Sequence, residues 1–320
     1  GDGIDAAGLF SAMRYGAPAR ENPDSLGKFG LGLKTASSSV CLHFALMSRQ
    51  SANEEPNKLA WDLEHVEKQN KWEMLRDPLS DDEIGAFEEL CGDKGTLLVW
   101  SNCDRLLSNN YEEAGGTKEQ QALKRAADSL KNHIALIYYR FLDSNDERER
   151  NITITVNGDA VDAWNPFYPE KSEQALPEDQ QTLEIEFPDG SIETAKIRAW
   201  LLPHRNDLTK EEEKIARIAN HRQGFYIHRE GRLIQHGGWL DVFGAPEPHT
   251  SLLRVEFDFD HKLDDAFEID VKKSRILFDP GLQEGLKALL QPIYREANNR
   301  YRRKQKAAAV TKGVDHGGAN

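Results

Sequence analysis

Cysteine, methionine and long apolar runs are scarce in this chain, and basic residues are outnumbered by acidic ones. The three cysteines, Cys41, Cys91 and Cys103, form no C-x-x-C pair, and no histidine stands near them at zinc-finger spacing. Neither a disulfide framework nor structural zinc is expected, and thiols kept reduced point to a cytoplasmic setting. No apolar run approaches the roughly 20 residues that span a bilayer, which predicts a soluble protein with no membrane partner. Basic residues number 41 against 54 acidic ones, giving a formal charge of -13 and a pI near 5.3. That balance excludes a surface that clings to nucleic acid everywhere and leaves room only for a local basic patch.

What is present is 320 residues at 38% hydrophobic, enough for two domains with a core each. Leu9, Phe10 and Met13 recur at helical spacing from Ala6 to Tyr15, and Gly16 to Gly27 then turns polar, reading as a loop. Gly27 to Ser39 is glycine-rich and then helical, and Val40, Leu42, Phe44 and Leu46 alternate as a half-buried strand. Strands are expected at Leu59–Leu63 and Thr96–Trp100, and an amphipathic helix over Lys118–Leu142. The charged run Asp143–Arg150 places a domain boundary at 144/145.

The second half opens with a strand pair around Asn157-Gly158, the strongest short hairpin signal. Further strands are expected at Thr182–Phe187, Ala195–Leu202, Gly224–Ile234, Leu252–Phe259 and Phe267–Ile269, with a helix over Lys210–Ala219. Pro280 opens a last helix in which Pro292 marks a kink or a second start, and residues 305–320 read as a disordered tail. The class is α+β from 145 to 304.

Chemistry concentrates in Gly27-Lys28-Phe29-Gly30-Leu31-Gly32-Leu33-Lys34-Thr35, a glycine-rich turn feeding a helix. Such a turn lets backbone amides approach an anion where the helix dipole favours negative charge. A P-loop fails because Leu33 separates Gly32 from Lys34 and no buried strand precedes the turn. A dinucleotide fingerprint fails because Thr35 stands where a glycine is needed. Alone, the segment could equally be a structural glycine turn.

Two further boxes flank it: Gly1-Asp2-Gly3-Ile4 upstream, and Lys94-Gly95-Thr96 opening a strand downstream. The ordered trio resembles the GHKL ATPases, the superfamily of gyrase B, MutL, MORC, heat-shock chaperone ATPases and histidine kinases, and looks closest to the MORC-like and MutL-like branch. The resemblance implies a two-layer α/β sandwich with a mixed sheet over residues 1–144, followed by an α+β transducer-like domain over 145–304. It implies ATP and Mg2+ as ligands, with Gly1, Gly3 and Ile4 near adenine. Gly27, Lys28, Phe29, Gly30, Leu31, Gly32, Leu33, Lys34 and Thr35 would lie at the phosphates, Thr96 on the adenine edge, and Gly16–Leu26 in the ATP lid. In the second half, Asp270-Val271-Lys272-Lys273 resembles the transducer loop whose lysine reaches the γ-phosphate, which assigns that role to Lys273 with Lys272 as the fallback; the ordinary alternative is a solvated lysine pair.

The family's E-x-x-x-N box, with its water-activating Glu and Mg-binding Asn, and the adenine-reading Asp are expected upstream of Gly1. No general base or metal ligand is therefore assigned within these residues, and the chain as given is expected to bind ATP poorly and not to hydrolyse it. Asp2 fills the motif's variable position, and Asp5 reads as a helix N-cap. The basic run Arg295, Arg300, Arg302, Arg303, Lys304 and Lys306 reads as a solvated helix end, with a nucleic-acid contact as the alternative. The six tryptophans read as core anchors, and His43 and His133 as packing or surface residues. The implied function is an ATPase that acts as an ATP-gated switch or homodimer clamp on an unidentified protein or nucleic-acid client. Alternatives are a histidine-kinase-like phosphotransfer domain, separable by protein-bound label from γ-labelled ATP, and a non-catalytic ATP-binding module.

Overall fold

The computed structural model describes residues 1–15, 30–107, 111, 113–187, 189–267 and 278–314, with side chains through 303 and at 305. The chain forms two compact units, Gly1–Arg125 and Ala126–Asn320.

In the first unit, α1 (Ala6–Met13) and α2 (Gly32–Val40) precede β1 (His43–Arg49) and β2 (Asn57–Asp62). Then follow α3 (Leu63–Gln69), α4 (Asp81–Cys91), β3 (Gly95–Ser101) and the start of α5 (Thr117–Ile137). The strands pair antiparallel in the order β2-β1-β3. Register sets Trp61, Phe44 and Trp100 side by side, and likewise Leu59, Leu46 and Leu98. Alternation puts both rows on one face, where Phe44, Leu46, Leu59 and Trp61 join Leu9 and Met13 of α1 in one cluster. Leu9 and Met13, four residues apart, form the buried stripe of α1, whereas Phe10 points outward. Asp5 caps α1 by accepting the Gly8 N–H at 2.7 Å, and Ser80 with Glu83 forms a capping box on α4. Trp72 and Trp100 are not core anchors: they are 58% and 40% exposed. Trp100 sits on β3, which has a neighbouring strand on one side only among the described residues, and its indole donates to Ser37 Oγ of α2 at 2.9 Å.

In the second unit, a short helix α6 (Tyr139–Leu142) follows α5 after a break at Tyr138, so the helix expected over 118–142 is two helices. Asn157 (φ 55°) and Gly158 (φ 84°) turn the hairpin of β4 (Thr155–Val156) and β5 (Asp159–Ala160). Next come β6 (Glu173–Gln174), β7 (Thr182–Glu186), β8 (Ile192–Leu201), α7 (Lys210–Ala216), β9 (Gly224–Arg229), β10 (Arg232–His236), β11 (Leu253–Phe259) and α8 (Pro280–Val314). The sheet runs β10-β9-β11-β8-β6 with β7 also on β8, and it is mixed, since β9 and β11 are parallel. Phe225 and Ile227 face a cluster that takes Leu286, Leu290, Ile293 and Ala297 from α8. Tyr226, between them, faces the opposite cluster, with Ala135, Leu136 and Ile137 of α5. Helices therefore cover both faces of β9, and every residue of that strand is buried.

The compact units divide inside α5 rather than at the charged run 143–150. The C-terminal half of α5 packs with Val156, Val161, Trp164 and Phe167 of the second unit. Asp279 caps α8 by accepting the Gly281 and Leu282 N–H groups, and α8 contains Pro292 and continues to Val314, into the stretch read as a disordered tail. The strand expected at Phe267–Ile269 falls mostly outside the described residues, as do residues 315–320. No helix among the described residues is long and apolar enough to cross a membrane.

Candidate functional site

The first and third boxes meet on the sheet. Ile4 N–H donates to Ser48 Oγ of β1 at 2.7 Å, and Ser48 Oγ lies 2.8 Å from Thr96 Oγ1 of β3. Ser48 is fully buried, and its Oγ also donates to the Gly95 carbonyl at 2.8 Å. Gly3 adopts φ +72°, and a Cβ there would stand 1.9 Å from the Arg49 carbonyl oxygen. Only glycine permits both the left-handed backbone and this approach. Gly1 has open space around it. Asp2 pairs with Lys94 at 2.7 Å, and the hydrogen bond from Lys94 holds its carboxyl below the usual carboxylate range. Both side chains are exposed, so this contact joins the two boxes weakly. Arg49 is buried; it donates to the carbonyls of Gly92 and Asp93 and to Glu88, fixing the turn that delivers Gly95 and Thr96 to β3.

The described part of the central box forms the head of α2. Leu31 occupies its N-cap without a side-chain hydrogen bond, and the first backbone bond of the helix is Thr35 N–H to Leu31 O at 3.0 Å. A helix start leaves its leading N–H groups without intrahelical partners. Gly30 has φ +62°, and among the described residues a Cβ on Gly30 or Gly32 would meet nothing within 4 Å, which leaves room at donors suited to an anion. Thr35 Oγ1 returns to Leu31 O at 2.9 Å. Lys34 is buried, and its ammonium donates to Gly30 O at 2.5 Å and Ala12 O at 2.9 Å. The expected phosphate lysine thus braces the glycine turn against the end of α1. Trp61 grips the same helix end, donating from its indole to Met13 O at 2.9 Å. Tyr15, Trp61 and Trp72 form an aromatic cluster there, with centroids 4.8 to 5.3 Å apart.

Of the expected site residues, Gly3, Ile4 and Thr96 are brought together, and Gly30 through Thr35 sit on α2, which packs beside α1. Gly27, Lys28, Phe29, the lid segment 16–26, Lys272 and Lys273 lie outside the described residues. Ser48, Arg49 and Trp61 carry the site's geometry and went unassigned in the sequence. The single signal for Ser48 was a polar residue directly after the apolar run Phe44–Met47. Among the described residues no cluster of His, Cys, Asp or Glu could hold a metal ion.

The second unit holds a buried ionic network. Arg140 donates to Glu256 Oε1 at 2.6 Å and to both Asp258 oxygens at 2.6 and 2.9 Å. Arg148, the Trp200 indole and, at 3.5 Å, Arg198 also face Glu256. Burial and Asp258 push the Glu256 carboxyl up, but the guanidiniums of Arg140 and Arg148 hold it below its ordinary range. His228, hydrogen-bonded to Tyr139 at 3.2 Å, is pushed well below the usual histidine range by burial and then by Arg140. Arg254, fully buried, donates to the carbonyls of Pro166, Ala216 and Arg217 and so closes the end of α7. Two open concavities of about 540 and 470 Å³ meet around Arg205 and Ile218 in this unit. Neither contains a residue of the glycine boxes. The glycine boxes and the open backbone donors at the head of α2 are in the first unit.

No curated protein matches the chain. Among solved structures it is similar to the crystal structure of the ATPase and transducer domains of DNA topoisomerase II from Balamuthia mandrillaris, at 14% identity and a TM-score of 0.40, over 96% of this chain and 76% of that one. Residues 1–96, the segment that holds all three boxes, match the family model described as histidine kinase-, DNA gyrase B-, and HSP90-like ATPase.

Proposed function

We propose that the first unit binds ATP with Mg2+ and that the protein is an ATPase working as an ATP-gated switch or homodimer clamp, nearest in kind to the MORC-like and MutL-like enzymes. The observation that carries this reading is the hydrogen-bonded closure of Ile4, Ser48 and Thr96 within a segment similar to GHKL-type ATPases. Thr96 and the Gly3-Ile4 backbone serve the adenine end. The open head of α2, from Gly30 to Lys34, serves the phosphates, with Lys34 holding the turn and placing a positive charge beneath it. Mg2+ when bound neutralises triphosphate charge; none of the described residues is assigned to it.

The role of Lys273, or Lys272 in its place, at the γ-phosphate rests on the resemblance of the Asp270-Val271-Lys272-Lys273 run. A contact made only with the third phosphate gives ATP and ADP different affinities for the closed state, and that difference drives the switch. The client is a protein or a nucleic acid.

Light scattering of the protein with Mg2+ and either a non-hydrolysable ATP analogue or ADP tests the clamp. Doubling of mass with the analogue alone supports it. The same mass under both conditions removes the clamp and leaves nucleotide binding to be judged by titration.

A further inference from the structure

Ser48 Oγ meets three polar groups at once: the Ile4 N–H at 2.7 Å, the Gly95 carbonyl at 2.8 Å and Thr96 Oγ1 at 2.8 Å. A serine hydroxyl has one proton and two lone pairs. Ile4 occupies one lone pair, so two proton placements remain. If Ser48 donates to Thr96, the Gly95 carbonyl loses this donor and the second lone pair of a fully buried oxygen goes unused. If Ser48 donates to Gly95, Thr96 can donate to Ser48, and all three contacts are hydrogen bonds. Burial favours the arrangement that satisfies every group, and each bond in such a chain strengthens the next.

In that arrangement Thr96 turns its only proton inward. Its side chain is exposed, and what it offers a ligand is lone pairs. We propose that Ser48 fixes Thr96 as a hydrogen-bond acceptor and thereby makes the site select a base that presents an N–H donor, the exocyclic amine of adenine, against guanine, which carries a carbonyl in its place. Ser48 touches no ligand in this account; it is a positioning residue that sets the polarity of Thr96. The inference rests on the reading of residues 1–96 as an adenine-nucleotide site, and it adds a selectivity device to that reading.

The test measures dissociation constants of ATP, GTP and purine riboside triphosphate, which lacks the amine, in the presence of Mg2+. The proteins are the wild type, Ser48→Ala, Thr96→Val and the double variant. One net hydrogen bond corresponds to a preference for ATP over purine riboside triphosphate of about tenfold in the wild type. Ser48→Ala frees the Thr96 proton to point outward, and the preference should fall towards unity. Thr96→Val, a near-isosteric change at an exposed position, should remove it equally, and the double variant should match Thr96→Val. Each value is a ratio of affinities within one protein, so partial loss of folding by Ser48→Ala cancels. Full preference retained by Ser48→Ala or by Thr96→Val overturns the proposal. A wild type that binds ATP but ignores the amine overturns it alone, whereas one that binds no nucleotide overturns the adenine-site reading and the proposal with it.

Discussion

Gly3 lies so close to Arg49 that a Cβ added to it would stand 1.9 Å from the Arg49 carbonyl oxygen, with Gln50 Cα 3.2 Å away. Backbone, not a flexible side chain, occupies that space. The approach seats the Gly1–Ile4 segment on the end of β1, where Ile4 can reach Ser48.

Gly3→Ala should therefore lower stability by at least about 2 kcal/mol, from overpacking together with left-handed backbone. Gly1→Ala, with nothing within 4 Å among the described residues, should leave it unchanged. Thermal unfolding of the two variants checks this. Equal midpoints would mean that the first box is not held against β1.

Arg140→Met should cost about 3–5 kcal/mol, because it strips a buried partner from Glu256 and Asp258. Denaturant unfolding measures the loss. A change below about 1 kcal/mol, the range of surface pairs, would show that Arg148, Arg198 and Trp200 suffice for Glu256.

The same network sets a pH dependence. His228 is fully buried and held neutral by burial and by Arg140, with Arg148, Tyr139, Glu256 and Asp258 around it. Below the ordinary histidine pKa of 6.5, the unfolded chain takes up a proton that the folded chain refuses, so this contribution to stability is present above that pH and is lost as pH falls. Each such proton steepens the decline by up to about 1.4 kcal/mol per pH unit. The depressed carboxyl of Glu256 contributes in the same sense, but lower, in the carboxylate range. Unfolding free energies measured from about pH 7 to 5 should fall less steeply in His228→Gln than in the wild type. Identical slopes would contradict a neutral, buried His228.

Local signals were legible in the sequence and distant ones were not. Asn157-Gly158 declared its turn because type I′ geometry needs those residues at those positions, and Asp5 and the alternation of Phe44 and Leu46 act within a few residues. Ser48 could not be read, because its partners lie 44 residues upstream and 48 downstream. Arg140 and Glu256 are 116 residues apart and look like ordinary surface charges in a highly charged chain. Trp72 and Trp100 misled because residue type predicts burial only on average, while neighbouring elements decide it. For Lys34, position in the motif suggested a ligand contact; the structure directs its ammonium to two backbone carbonyls.

The most direct test of the central claim, that the head of α2 cradles the phosphates of ATP, is a titration of ATP with Mg2+ into the wild type and Gly32→Val. Among the described residues the new side chain would meet no atom within 4 Å of its Cβ, so its effect is expected on what approaches the turn. Affinity should fall at least about tenfold, ~1.4 kcal/mol, with the unfolding midpoint unchanged. Equal affinity in the two proteins would contradict the account.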